Sequence, residues 1–231
     1  MSAGLAILAA GSSTRAGTDK VSADLGGRPV LVWSIAAALA SGAFDEIVVV
    51  APADRIPAVM RLVEGHRVRV VAGGATRTAS SWAALDALPD AQIIAIHDAA
   101  RPFAPPSLFA KLVEVARTSG SAVPGLAVAE TVRRADEAGR AMEEVDRSGL
   151  WTAQTPQVFQ RELLERARAA AGQRAFTDDA AAVIALGLDV RLVPGDRRNL
   201  KLTSSEDLSY ARELVAKGLA AIAAVPLGGG R

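Results

Sequence analysis

The chain has 231 residues, half of them hydrophobic, and its 26 basic and 25 acidic side chains give a net charge of +1. This near balance excludes an overall field that selects nucleic acid or a membrane surface, so any basic site must be local. The chain has no cysteine and two histidines, which excludes disulfides, thiolate zinc sites, thiol catalysis and a histidine-rich metal site. Its first apolar run, at residues 5–10, is too short for a signal peptide or a membrane span, so we expect a cytoplasmic protein. We expect one α/β domain over residues 1–231, without a nucleic-acid or membrane partner.

The apolar run at residues 5–10 is predicted to be a strand that opens into a phosphate-binding loop. Small polar residues follow from Gly11 to Arg15, and Lys20 comes shortly after. Small residues after a buried strand let successive backbone N–H groups form an anion-binding concavity, and Arg15 and Lys20 would add full charges. The spacing matches neither a Walker A loop nor a dinucleotide fingerprint. An ordinary surface connection is the alternative interpretation.

Helix and strand signals then alternate along the chain. Helices are predicted in the segment that follows Pro29 and ends at Ser41 and Gly42, and at residues 57–64, 76–88 and 105–119. Strands are predicted at residues 46–51, 67–72, 92–97 and 123–128. This alternation predicts right-handed β-α-β crossovers, a mostly parallel sheet between two layers of helices, and ligands beyond the carboxyl ends of the strands. The segments after the strands at 5–10 and 92–97 should therefore share one crevice.

Residues 130–151 break this rhythm and predict a projecting β-hairpin arm. Two short runs, residues 131–134 and 141–146, flank a turn at residues 136–139. A two-stranded ribbon is marginally stable alone, so we expect it to pack on the same arm of another subunit. Disorder is the alternative, because the segment is highly charged.

The last third of the chain continues the α/β pattern. We predict a helix at residues 161–171, an N-cap at Thr177 for a helical run to residue 186, and strands at 188–193 and 199–203. Residues 203–206 resemble a capping box that opens a helix to about residue 223, and the tail at 228–231 is expected to fray.

The sequence HDAARP places Asp98 directly after a predicted buried strand. Magnesium prefers hard oxygen ligands and often takes only one or two from protein while phosphates and water supply the rest, so Asp98 is the candidate Mg²⁺ ligand. Its alternative role is to cap the following turn. His97 is expected to pack at the strand end, and Arg101 to orient Asp98 or to anchor the loop.

An ordered set of motifs in this chain resembles one known family. LAAGSSTR, Lys20, GGATRTASS, HDAARP, TVRR, DRSGLWTAQTPQVF, FTDDA and NLKLT are similar to the successive signatures of the 2-C-methyl-D-erythritol 4-phosphate cytidylyltransferases of the non-mevalonate isoprenoid pathway. The resemblance covers nearly the whole chain. It implies a Rossmann-like three-layer nucleotidyltransferase fold, a homodimer joined through the arm, and Mg²⁺-dependent transfer of the cytidylyl group of CTP to 2-C-methyl-D-erythritol 4-phosphate with release of pyrophosphate.

The resemblance also implies roles for individual residues. Around the phosphates it places Arg15, Lys20 and Lys201, with Asp98 on the metal. On the cytidine side it places Ala9, Ala10, Gly11, Gly74 and Ser80, with Arg77 anchoring the base-binding segment. Near the methylerythritol phosphate it places Thr131 and Arg147 of the neighbouring subunit's arm, with Thr155 and Thr177. The chain departs from the family at Ser13, often a second glycine, at Asp19-Lys20-Val21, often Pro-Lys-Gln, and at Ala75, often polar.

Several of these residues have a simpler explanation. Lys201 would otherwise be a solvated lysine at a strand end. Thr177 would be a helix cap alone, and Arg77 and Ser80 would supply the polarity expected at a helix start.

The implied reaction needs no nucleophilic side chain, because the attacking phosphate oxygen is already ionised near neutral pH. Catalysis would consist of positioning and of stabilising negative charge. Two other functions remain open at this point. One is cytidylyl transfer to another polyol phosphate such as ribitol 5-phosphate, and the other is a catalytically silent nucleotide-binding subunit.

Overall fold

A central sheet with helices on both faces organises the chain. The computed structural model describes residues 1–10 and 20–219. Its strands are β1 Ala3–Leu8, β2 Glu46–Ala51, β3 Arg69–Ala72, β4 Ile93–Asp98, β5 Ser121–Ala127, β6 Val132–Ala135, β7 Ala141–Val145, β8 Trp151–Ala153, β9 Gln157–Gln160 and β10 Leu192–Pro194. Its helices are α1 Val30–Ser41, α2 Ile56–Leu62, α3 Arg77–Ala87, α4 Pro106–Ser119, α5 Arg161–Ala171, α6 Asp179–Ile184 and α7 Ser205–Ala216, with a 3₁₀ turn at Ala53–Arg55.

The main sheet has the strand order β10-β5-β9-β4-β1-β2-β3, and β8 pairs with β5. Strands β3, β2, β1 and β4 are parallel, whereas β9 lies antiparallel between β4 and β5. Leu8 at the end of β1 is in register with Asp98 at the end of β4. The expectation that the segments after these two strands share one crevice stays a prediction, because residues 11–19 after β1 lie outside the described part of the chain.

The side chains of alternate strand residues pack into two separate apolar layers. In β1, Leu5 and Ile7 pack with residues of α1 and α4, whereas Ala6 and Leu8 pack with residues of α3 and α5. A third cluster around Phe103 joins the start of α1 to α7. Because strand side chains alternate between faces, apolar residues on both faces require helices on both faces. The predicted three-layer arrangement is therefore confirmed.

Most predicted elements are present, and the largest omission is β9. The predicted strand at 46–51 and helix at 161–171 have the observed bounds. Strand β9 was missed because its buried positions begin with Gln157, whose polar side chain breaks the apolar signal. The strand predicted at 199–203 is wrong: the segment has no ladder partner, and Leu202 N–H donates to the Ala100 carbonyl at 2.8 Å. The strand predicted at 188–193 is reduced to β10, which starts at Leu192.

Three predicted helix ends are also corrected. Asp178, not Thr177, is the N-cap of α6, and its side chain accepts a hydrogen bond from Ala181 N–H at 2.8 Å. The capping box of α7 pairs Ser204 with Asp207, one residue later than predicted. Helix α7 ends at Ala216 rather than near residue 223, and the tail at 228–231 lies outside the described residues.

The predicted arm is a hairpin with a two-stranded sheet of its own. Strands β6 and β7 are antiparallel, with Val132 opposite Val145. Cross-strand pairs of Arg133 with Glu144 and of Arg134 with Glu143 have distances of 3.1 and 2.6 Å. This pairing matches the predicted hairpin rather than the disordered alternative. Among the described helices, none is both long and apolar enough to cross a bilayer.

Candidate active site

One buried carboxylate, that of Asp98, lies among three cationic side chains at the carboxyl end of β4. Lys201 Nζ is 2.8 Å from Asp98 Oδ2, and Arg101 Nε is 3.9 Å from the same oxygen. Arg77 Nε is 3.6 Å from Oδ1. Three residues that are far apart in sequence, on the α3 N-terminus, after β4 and before α7, therefore converge on one anion.

The pKa of Asp98 follows from this surrounding charge. Burial raises the pKa of the carboxyl, but the charges of Lys201, Arg77 and Arg101 together lower it below its ordinary value. Burial also lowers the pKa of the Arg77 guanidinium, yet Asp179 and Asp98 more than offset that effect and raise it. Both groups are therefore charged at neutral pH.

The backbone of Asp98 is fixed by Thr155. Asp98 N–H donates to Thr155 Oγ1 at 3.0 Å, and the same hydroxyl lies 3.0 Å from His97 Nδ1. His97 Nε2 is 3.3 Å from the Arg101 carbonyl. These contacts assign the Nε2–H tautomer, in which Nε2 donates to Arg101 and Thr155 donates to Nδ1. Burial lowers the pKa of His97 to about 4, so the imidazole is neutral, as expected for a residue packed at the strand end.

The segment before Lys201 is anchored by amide side chains. Arg101 Nη1 donates to the Asn199 carbonyl at 2.7 Å, and Asn199 Nδ2 donates to the Thr155 carbonyl at 2.8 Å. Gln154 Nε2 donates to the Asp196 carbonyl at 3.0 Å. Arg101 therefore anchors the loop that carries Lys201, while its Nε faces Asp98 at 3.9 Å.

Of the two predicted loop cations, the structure describes Lys20 but not Arg15. Lys20 Nζ donates to the Thr203 carbonyl, which places Lys20 beside the segment that carries Lys201. Arg15 and Gly11 lie outside the described residues, so their predicted contacts with phosphate remain predictions.

The predicted cytidine side lies where β1 ends against the Gly73-Gly74 turn. Ala9 N–H donates to the Val50 carbonyl at 2.8 Å. A Cβ at Gly73 would lie 3.2 Å from the Cβ of Ala10, and one at Gly74 would lie 2.4 Å from the Cβ of Ala79. Only glycine allows this approach.

Ser80 is buried within that turn rather than directed outward. Its hydroxyl donates to the Thr76 carbonyl at 2.9 Å and accepts from Gly74 N–H at 3.2 Å. Ser80 therefore shapes the turn that carries Gly74.

The predicted sugar-phosphate residues do not all meet within one chain. Thr155 is part of the Asp98 cluster, whereas Thr177 is exposed just before α6. Thr131 and Arg147 are exposed on the arm, and Arg147 Nη1 donates to the Ala129 carbonyl. Over residues 1–10 and 20–219, neither arm residue forms a hydrogen bond or ion pair with Asp98 or its cationic neighbours.

Comparison with known proteins tests the family resemblance. The sequence model of 2-C-methyl-D-erythritol 4-phosphate cytidylyltransferase matches residues 4–217. The chain belongs to this family. The Rhodococcus opacus (strain B4) protein named 2-C-methyl-D-erythritol 4-phosphate cytidylyltransferase is 44% identical over 213 residues, which are 91% of this chain and 93% of that protein.

Two further relatives define the extent of the similarity. The crystal structure of 2-C-methyl-D-erythritol 4-phosphate cytidylyltransferase from Thermus thermophilus has a TM-score of 0.81 at 34% identity, covering 94% of this chain and 100% of that chain. The bifunctional enzyme IspD/IspF of Anaeromyxobacter sp. (strain Fw109-5) is 44% identical over 218 residues, which are 91% of this chain but 56% of that protein. The predicted family and its nucleotidyltransferase fold are confirmed.

Sequence reasoning missed three side chains that build the site. Asp179 forms a 2.7 Å ion pair with Arg77, and Gln157 and Asn199 are fully buried with polar contacts. The signal was present in the motifs TPQ, TDDA and NLKLT, because a glutamine, an aspartate and an asparagine inside otherwise apolar surroundings must be paired.

Asp98 suits a divalent cation that takes most of its ligands from phosphates. The carboxylate is ionised, and within the described part of the chain its Oδ1 accepts no hydrogen bond, with Arg77 Nε no closer than 3.6 Å. In residues 1–10 and 20–219, no three acidic or histidine side chains are grouped as a metal cage. One hard carboxylate oxygen fits Mg²⁺, which often takes only one or two ligands from protein.

Proposed function

We propose that the chain transfers the cytidylyl group of CTP to 2-C-methyl-D-erythritol 4-phosphate, giving 4-diphosphocytidyl-2-C-methyl-D-erythritol and pyrophosphate for isoprenoid precursor synthesis. The observation that carries the proposal is the convergence of Lys201, Arg77 and Arg101 on Asp98 at the strand ends. We assign this cluster to the place where the two phosphates would meet.

The main barrier to this reaction is electrostatic, because an anionic phosphate oxygen must approach the α-phosphorus of an anionic triphosphate. Lys201 is 43% exposed while it contacts Asp98, so its ammonium group is accessible to an incoming phosphate. Lys20 lies beside the same segment, and Arg15 follows β1 in sequence. We assign these three residues to neutralising the phosphates, since preorganised charge is the main catalytic contribution in phosphoryl-group transfer.

No side chain needs to remove a proton. The substrate phosphate is already ionised, and His97 is buried and neutral with a pKa of about 4. Ala9, Ala10, Gly11 and Gly74, with Ser80 and Arg77 behind the glycine turn, are assigned to the cytidine side.

Mg²⁺ is the proposed cofactor, and Asp98 is the residue that would hold it. When bound, the cation would withdraw negative charge from the triphosphate and assist departure of pyrophosphate. Asp98 is prepared for this role by Thr155, which fixes its backbone, and by cations that keep its carboxylate ionised.

The arm supports the proposal of a homodimer whose sites are shared. Thr131 and Arg147 are exposed on a hairpin that forms no part of the main sheet, and Met142 on β7 is 65% exposed. Packing against a partner's arm would cover this apolar surface and bring Thr131 and Arg147 to the partner's substrate, near Thr155 and Thr177. We also assign the protein to the cytoplasm, where its absence of cysteine is compatible with a reducing environment.

The function is tested by measuring pyrophosphate release with CTP, UTP, ATP and GTP, each with 2-C-methyl-D-erythritol 4-phosphate and with ribitol 5-phosphate. We expect the greatest kcat/KM for CTP with the methylerythritol phosphate. Activity with ribitol 5-phosphate alone would establish another polyol phosphate as the substrate. Nucleotide binding without turnover in any pairing would indicate a silent subunit.

A complementation experiment tests the shared site. Asp98→Asn and Arg147→Ala each damage every site of their own homodimers. In a mixed dimer, one site would carry both changes and the other neither, so mixing after subunit exchange, assayed well below KM for the polyol phosphate, should recover about a quarter of the wild-type activity. Activity equal to the mean of the two unmixed variants would contradict a site shared between subunits.

A further inference from the structure

The guanidinium group of Arg77 lies between two buried carboxylates but bonds directly to one. Its Nη2 is 2.7 Å from Asp179 Oδ2, whereas its Nε is 3.6 Å from Asp98 Oδ1. The first distance is that of a charge-assisted hydrogen bond, and the second is beyond hydrogen-bond range. Arg77 is therefore bonded to Asp179 and only faces Asp98.

Asp179 is itself held in place by β9. Gln157 Oε1 accepts hydrogen bonds from the N–H groups of Asp179 and Ala180 at 3.1 and 2.9 Å. Its Nε2 donates to Asp178 Oδ2 at 2.8 Å, and Asp178 caps α6. Gln157 pairs with Ile96 in the adjoining strand β4, two residues before Asp98. One pair of neighbouring strands thus fixes the positions of both carboxylates.

Without Asp179, Arg77 could move closer to Asp98. The planar fork of a guanidinium matches both oxygens of a carboxylate, and a bidentate pair is its strongest geometry. Asp98 is 9% exposed and its Oδ2 already contacts Lys201, so closure by Arg77 would also cover Oδ1. The 2.7 Å bond to Asp179 opposes that closure.

We propose that Asp179 is a positioning residue that holds Arg77 away from Asp98 and so keeps Asp98 Oδ1 open to a divalent cation. The inference deepens the proposed function and rests on it, because the cation is the one that the nucleotidyl transfer would use. Gln157 supports the same arrangement by fixing the N-terminus of α6. The motifs TPQ and TDDA thereby gain a role at Asp98 without contacting the reacting atoms.

The test measures Mn²⁺ binding by electron paramagnetic resonance, with protein and a non-hydrolysable CTP analogue present. Asp179→Asn removes the charge and keeps the shape, and Arg77 should then close on Asp98. We expect Mn²⁺ affinity to fall about 10-fold or more, as when a group behind a metal ligand is changed. Asp98→Asn shows how much Mn²⁺ affinity is lost when the carboxylate itself is removed. Asp189→Asn, at an exposed position, is the matched control and should keep wild-type Mn²⁺ affinity.

A double-mutant cycle separates positioning from a general structural effect. If Asp179 acts through Arg77, then adding Asp179→Asn to Arg77→Gln should cause no further loss of Mn²⁺ affinity relative to Arg77→Gln itself, with the CTP analogue saturating for each variant. The double variant removes both charges of the pair, so it decides the question even where Asp179→Asn alone does not fold. Thermal unfolding of every variant monitors folding separately from binding.

Several outcomes would overturn the proposal. They are wild-type Mn²⁺ affinity in Asp179→Asn, an equal loss from Asp179→Asn with and without Arg77, or no difference in Mn²⁺ affinity between wild type and Asp98→Asn. Pyrophosphate release by the wild-type protein is measured in parallel. If the wild-type protein turns over but Asp179→Asn keeps wild-type Mn²⁺ affinity, only this inference is refuted. If the double-mutant cycle gives the expected affinities but the wild-type protein shows no turnover, only the proposed function is refuted.

Discussion

Replacing Asp98 with asparagine keeps the size of the side chain and removes the negative charge on which three cations converge. In the wild-type protein Lys201, Arg77 and Arg101 lie 2.8, 3.6 and 3.9 Å from its oxygens. In Asp98→Asn these cations would repel one another across a neutral amide. We expect the variant to fold with lower stability and to lose most of its turnover.

The size of the stability loss follows from exposure and distance. Lys201 is 43% exposed, so its ion pair is screened by solvent and contributes at most about 1 kcal/mol. Arg77 and Arg101 are less exposed, at 26% and 11%, but they are farther from Asp98, and Arg77 retains Asp179. The total cost should be about 2 kcal/mol, below the roughly 3–5 kcal/mol of a tight buried pair. For a domain of this size that lowers Tm by about 4–8 °C.

The contribution of Asp98 to stability should depend on pH, and the direction of its pKa shift gives the direction of that dependence. In the folded protein, cations hold the pKa of Asp98 below its ordinary value. The ionised carboxylate therefore stabilises the fold fully above the ordinary pKa of about 4. This stabilisation is lost as pH falls through the folded-state pKa. The stability gap between wild type and Asp98→Asn should be widest near pH 7 and should narrow by about pH 3. Thermal unfolding at both pH values and pyrophosphate release at pH 7 measure the two effects, and turnover should fall about 10²-fold or more. Wild-type turnover, or a gap that widens in acid, would refute the reasoning.

Three further substitutions test separate parts of the site. Lys201→Met should reduce kcat about 10²-fold or more. It should also raise the pKa of Asp98 and so move the acidic limb of the pH–rate profile to higher pH. An unshifted acidic limb would argue against the Lys201–Asp98 ion pair. Thr155→Val leaves Asp98 N–H and His97 Nδ1 without their partner, so urea unfolding should show a loss of about 1–3 kcal/mol, and unchanged stability would contradict this network. Arg147→Ala should raise KM for the polyol phosphate about 10-fold with KM for CTP unchanged in initial-rate assays; equal increases would remove Arg147 from the sugar-phosphate site.

Much of the fold could be predicted because strands buried on both faces carry a strong local signal. The β-branched run of β2 and the runs that end at Leu8 and Asp98 are apolar on both sides, which requires helices on both faces. The arm was recognisable from two alternating runs around a polar turn. Asp98 could be identified as a candidate site residue because a carboxylate at the end of such a strand is positioned by the sheet.

The remaining features depend on contacts between distant segments. Gln157 in β9 is polar and fully buried, and only the N-terminus of α6, 22 residues later, explains it. Lys201 was expected on a strand, but its segment is held by Arg101 and Gln154 through Asn199 rather than by a ladder. Local patterns carry no information about such partners, so the Arg77–Asp179 pair was found only in the structure.

The central claim is that an oxygen of the substrate phosphate attacks the α-phosphorus of CTP at the Asp98 cluster. It is tested most directly by supplying 2-C-methyl-D-erythritol 4-phosphate with ¹⁸O in its phosphate oxygens and following the product by ³¹P NMR. We predict a new diphosphate whose bridging oxygen carries ¹⁸O, with unlabelled pyrophosphate released. Label appearing in pyrophosphate, or a diphosphate bridge without ¹⁸O, would contradict the mechanism.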